Sequence, residues 1–128
     1  MSEMSNYLEN ALINVTLRAT AYTAPTTVYV ALFTTDPTDA GTGTEVSGGA
    51  YARTAVTFAA PSNGVTTNSA DVTFPTCTLA WGIVTHIGIY DALTSGNLLY
   101  HTPLDASKTV DTADIFKISS GSLSVTLA

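Results

Sequence analysis

The sequence predicts a mainly β fold, an antiparallel β-sandwich or jelly-roll-like domain with one N-terminal α-helix, spanning residues 1–128 as a single unit. Three observations carry this. β-Branched and aromatic runs recur at roughly 8 to 12 residue intervals with turn-forming residues between them, the rhythm of a sandwich. No helical periodicity separates those runs, so βαβ units and a parallel sheet are not expected. No internal repeat, heptad run or second composition zone divides the chain.

The helix is placed at residues 5 to 18. Asn6 and Glu9 have capping-box-like spacing, and Leu8, Ala11, Leu12, Val15 and Ala19 follow at helical intervals. Asn10, Asn14 and Arg18 occupy the other side, so the apolar stripe can lie on this chain's own sheet or on a neighbouring subunit. Thr27 to Phe33 is apolar in both alternating sets, which predicts a strand buried on two faces. Residues 34 to 49 combine Asp36-Pro37-Thr38, Gly41-Thr42-Gly43 and Ser47-Gly48-Gly49, and predict a long surface loop of the kind that contacts a partner.

Tyr51 to Phe58 and Ala70 to Phe74 read as short strands, ended by Pro61-Ser62-Asn63-Gly64 and Pro75. Cys77 to Tyr90 is the longest apolar stretch and is expected to divide into two strands, with Gly82 and Gly88 at a bulge or a close backbone approach. Thr94-Ser95-Gly96-Asn97 predicts a hairpin joining Ile87–Tyr90 to Leu98–Tyr100. Ser119-Ser120-Gly121-Ser122 predicts a second, joining Ile115–Ile118 to Leu123–Leu127.

Composition narrows the function. Hydrophobic residues make up 45% of the chain and charged residues 11%, so apolar surface is plentiful where charge for a soluble monomer is scarce, which favours assembly. The mean hydropathy of +0.27 does not signal a membrane protein, because no run approaches the roughly 20 apolar residues of a spanning helix. The net charge is −6 and Arg18, Arg53, Lys108 and Lys117 are widely spaced, so direct nucleic-acid binding is not expected. The single cysteine, Cys77, offers no internal disulfide, and the first residues lack a basic region followed by an apolar core. Synthesis in the cytoplasm is expected, which makes the Asn14-Val15-Thr16 sequon a chance match.

No residue pattern sets up catalysis. Cys77, His86, His101 and Asp91 are the residue types of a hydrolase, but there is no Gly-x-Ser-x-Gly elbow and Cys77 reads as a small buried thiol. Two histidines fall short of a zinc site, which needs at least one or two more ligands, and Asp91 and Asp105 are only neighbours in sequence; if three subunits met at an axis, one ligand from each could complete a site. Most aspartates stand in turn-rich segments, where they bond local backbone. The reading is therefore no catalytic residues, no cofactor and no metal. Trp81 with Tyr7, Tyr22, Tyr29, Tyr51, Tyr90 and Tyr100 is read as core or subunit contact, the competing reading being a carbohydrate-stacking surface.

The stretch Val84-Thr85-His86-Ile87-Gly88-Ile89-Tyr90-Asp91-Ala92, leading through Ser95-Gly96 into Asn97-Leu98-Leu99, resembles small virion proteins of tailed bacteriophages. Asn6 to Leu12, Val28 to Thr34 with Asp36-Pro37-Thr38, and Gly48-Gly49-Ala50-Tyr51-Ala52-Arg53 agree with it. Val110-Asp111-Thr112-Ala113-Asp114 departs from it, standing where a Gly-Asp turn is expected. The resemblance implies a virion structural protein, either a capsid decoration (cement) protein bound to the major capsid protein on the head exterior, which is favoured, or a tail-fibre or baseplate component. A homotrimer is expected, and the candidate contact residues are Leu8, Leu12, Val15, Asp36, Asp39, Glu45, Tyr51 and Arg53.

Overall fold

The computed structural model describes residues 2–127. Its elements are β1 (Glu3–Met4), α1 (Asn6–Leu17), β2 (Val28–Phe33), β3 (Thr54–Val56), β4 (Val65–Thr67), β5 (Val72–Thr73), β6 (Gly82–Tyr90), β7 (Leu98–Val110), β8 (Lys117–Ile118) and β9 (Ser124–Thr126). A five-stranded antiparallel sheet runs in the order β1-β7-β6-β2-β3. Two antiparallel ribbons, β4-β9 and β5-β8, form the opposing layer, giving a sandwich-like architecture.

The core lies between these layers. Val30, Leu32, Val84, Ile87 and Ile89 from the sheet meet Val72, Phe74, Phe116, Leu123 and Val125 from the ribbons and their flanks. Phe74 meets Phe116 edge-on at 5.6 Å, a favoured aromatic geometry. The other face of β2 carries Ala31 and Phe33, which pack with Tyr90 and Leu98 in a second, smaller cluster. β2 is thus covered on both faces, as its continuous apolar run predicts. Gly88, on β6 beside β2, serves close approach, since a methyl there would press on Leu98, Phe33 and Tyr90.

Several expectations are corrected. Cys77 to Tyr90 is not two strands; only Gly82–Tyr90 pairs, while Cys77 and Trp81 are tied by loop bonds to Asp114 and Val110. The strand beginning at Leu98 extends to Val110, through Pro103. Pro103 is tolerated because β1 covers the outer edge of β7 only at Tyr100 and His101, so the missing N–H costs no ladder bond on that edge. The Ser119–Ser122 turn forms, but its flanking strands do not pair with each other: β8 pairs with β5 and β9 with β4. The helix cap is Ser5 rather than Asn6; its hydroxyl accepts the Leu8 N–H at 3.1 Å and donates to the Leu98 carbonyl.

The segment 34 to 49 contains no named strand, but it is anchored. β3 pairs with β2 only as far as Val30, and residues 44 to 46 continue along the vacated edge through Thr34 N–H to Thr44 O and Val46 N–H to Leu32 O. Val46 and Pro37 are buried. Among the described residues no helix is long and apolar enough to cross a membrane.

Candidate functional site

The Asp91–Asn97 turn tips the β6–β7 hairpin, and Arg53, just before β3, reaches it from across the sheet. Its Nη1 donates to the carbonyls of Ala92 (3.0 Å) and Ser95 (2.6 Å). Nε and Nη2 grip both oxygens of Glu45 at 2.9 Å, and the guanidinium carbon lies 3.7 Å above the Tyr90 ring. The hydroxyl of Tyr51 donates to Glu45 at 2.6 Å and accepts the Leu32 N–H at 3.0 Å, standing in for the β3 backbone that ends at Val30. Burial, reinforced by the bond to Glu45, pushes the Tyr51 phenol far above its ordinary value of 10.0. Three candidate contact residues, Glu45, Tyr51 and Arg53, are thereby committed to an internal clamp that fixes the 34–49 segment and the hairpin tip.

The helix tells the opposite story. Leu8 is buried at its base and Leu12 is half-buried, but Val15 is 40% exposed, Ile13 53% and Leu17 79%. Ile13 and Leu17 are one turn apart and share a face with no cover from this chain, so α1 is apolar on two sides. The predicted stripe through Leu8 is covered at Leu8, partly covered at Ala11 and Leu12, and open at Val15.

The remaining candidates, Asp36 and Asp39, converge on a histidine. His101 on β7 is 5% exposed, with Nε2 2.8 Å from Asp39 Oδ1 and 4.0 Å from Glu3 Oε2, and Nδ1 3.9 Å from Asp36 Oδ1. Asp36 also accepts the Thr38 N–H at 2.8 Å, the local backbone bond expected of a turn aspartate. Sequence reasoning did not find this cluster, since β1 pairing and the 34–49 segment bring residues 3, 36, 39 and 101 together. His86 stands opposite Pro103 and His101 opposite Gly88, so the two histidines are offset in register, not directly paired.

Other residues take quieter places. Cys77 is buried, its thiol donating to Leu79 O. Trp81 is 6% exposed, and its indole N–H donates to Gly49 O at 2.9 Å, which removes it from any stacking surface. Lys117 pairs with Asp71 and Arg18 with Asn14, so two further cations have local partners.

The arrangement is a small sandwich-like domain with its polar network turned inward and an apolar helix face turned outward. The chain belongs to the family described as podophage GP4 fiber I protein gp80, whose model matches residues 3–126. It is therefore a small tailed-phage virion structural protein, as its β6–β7 resemblance implied. No curated protein matches the chain.

Proposed function

We propose that this chain is a structural subunit of the virion fibre that works by adhesion, not chemistry, and assembles as a homotrimer through the outward face of α1. The observation that carries this is the exposure of Ile13, Val15 and Leu17 on a 12-residue helix that buries only Leu8. A helix that short is marginal in water without a packed face, and burying such side chains against another subunit recovers about 1.5–3 kcal/mol each. The partners are then further copies and neighbouring virion proteins, with Ile13 and Leu17 at the contact and Leu12 and Val15 on the helix's other apolar side. The family's fibre description supports this reading over the head.

The second reading is a cement protein on the capsid exterior, bound to the major capsid protein. Scarce charge and abundant apolar surface favour attachment there as much as in a fibre. Quantitative mass spectrometry of purified particles separates the two. A fibre subunit is present at a small multiple of the tail's symmetry, a cement protein at about the copy number of the capsid subunits. The second result overturns the fibre reading.

A further inference from the structure

We propose that His101, Asp39 and Glu3 form a site for a divalent transition-metal ion, with zinc the fitting probe, and that Asp36 orients the imidazole. The donors differ in kind: one nitrogen and two carboxylates come from three separate segments, and their ligand atoms all lie within 4.8 Å of one another. Ligands of one zinc ion stand roughly 3 to 3.5 Å apart, since zinc binds nitrogen and oxygen at about 2.0–2.2 Å. Nε2 and Asp39 Oδ1 are already near that spacing at 2.8 Å. Glu3 begins 4.0 Å away with a side chain 65% exposed, so it has the freedom to close in.

The central ligand is held in place. His101 is fixed by pairing with both Gly88 and Glu3 and is nine-tenths buried, so the imidazole is pre-placed at the ligand position. Its two nitrogens face different carboxylates. Nε2 and Asp39 Oδ1 lie at hydrogen-bond distance, 2.8 Å, so zinc would take the place of the proton they share. Nδ1, 3.9 Å from Asp36 Oδ1, could then direct its N–H to that carboxylate once the gap closes, as outer carboxylates do for metal-binding histidines. Charge argues the same way. Among the described residues, every ion pair of Glu3, Asp36 and Asp39 is to His101, so three carboxylates share one imidazole. Imidazole with carboxylates is a donor set for zinc and its first-row neighbours, whereas magnesium and calcium favour oxygen alone.

The site would staple the root of α1. Asn6 N–H donates to Asp39 O, and Ser5 N–H to Leu99 O, so an ion held by residues 3, 39 and 101 ties β1, the 34–49 segment and β7 around the helix start.

The test is calorimetric titration of the full chain, stripped with chelator, with zinc chloride. One zinc per chain is expected. Glu3→Gln and Asp39→Asn should each weaken binding by at least tenfold, Asp36→Asn by about tenfold, and His86→Ala not at all. The first two replace exposed carboxylates, so the result does not depend on a buried His101 variant that fails to fold. Absence of binding up to millimolar zinc overturns the proposal, as does affinity unchanged in Glu3→Gln and Asp39→Asn or lost in His86→Ala.

Discussion

Arg53 shows how a low-charge chain spends a cation. A guanidinium has five donors in a fixed fork, and here they bridge a carboxylate and two turn carbonyls while the plane lies on Tyr90. The adjoining tyrosine makes a sharper case. Replacing Tyr51 with Phe leaves the Leu32 N–H without its side-chain acceptor and Glu45 short of a donor, an expected loss of about 1–3 kcal/mol in urea unfolding at neutral pH. The pH dependence follows from the raised phenol. A group whose folded value exceeds its unfolded value contributes stability that is fully present below the unfolded value of 10.0 and is lost as pH rises through the folded one. Stability should therefore fall above about pH 10, and Tyr51→Phe should flatten that fall, leaving the smaller part due to Tyr22, Tyr90 and Tyr100, whose phenols burial also raises. An alkaline slope unchanged by Tyr51→Phe would refute the assignment.

At the scale of elements, the cap of α1 is a single atom with two duties. Ser5 Oγ serves the helix N-terminus and the β7 backbone together, so Ser5→Ala should cost about 1–2 kcal/mol and expose the helix amides to faster hydrogen exchange. Exchange unchanged in residues 6 to 9 would show that the cap is dispensable. The cap also marks where sequence reasoning reached its limit. The helix was legible within one residue at each end because its periodicity is local, and β2 and the 90–98 hairpin were legible because an apolar run and a Ser95-Gly96 turn are local too. Choice of partner is not local. The Ser119–Ser122 turn suits a hairpin, yet its flanks pair with β5 and β4, because each buries its apolar residues, Phe116 and Val125, against the sheet's core. The His101 cluster was hidden for the same reason. Asp111–Asp114 shows chemistry replacing a motif: Ala113 takes φ +76°, the conformation a glycine would supply, held by its N–H on Cys77 O and by Asp114 on the Asp111 N–H.

For the whole molecule, the arrangement separates folding from assembly. Buried polar groups are satisfied internally: no buried side-chain nitrogen or oxygen among the described residues lacks a partner. The sandwich core is complete without the outer half of α1, whose Ile13 and Leu17 contribute nothing to it. Ile13→Glu together with Leu17→Glu should then leave the domain folded, with the same far-ultraviolet circular dichroism, its thermal unfolding lowered only by the concentration-dependent stabilisation that assembly gives the parent. The same pair places charge on the surface proposed to pack against another copy, where an unpaired buried charge costs several kcal/mol. Light scattering should show trimers for the parent and monomers for the variant. A parent that remains monomeric both alone and in purified fibres, or a variant that still forms trimers, would remove α1 from the interface. Loss of trimers with the fold intact would make the helix the adhesive element, and the clamp of Arg53, Glu45 and Tyr51 part of the frame that supports it.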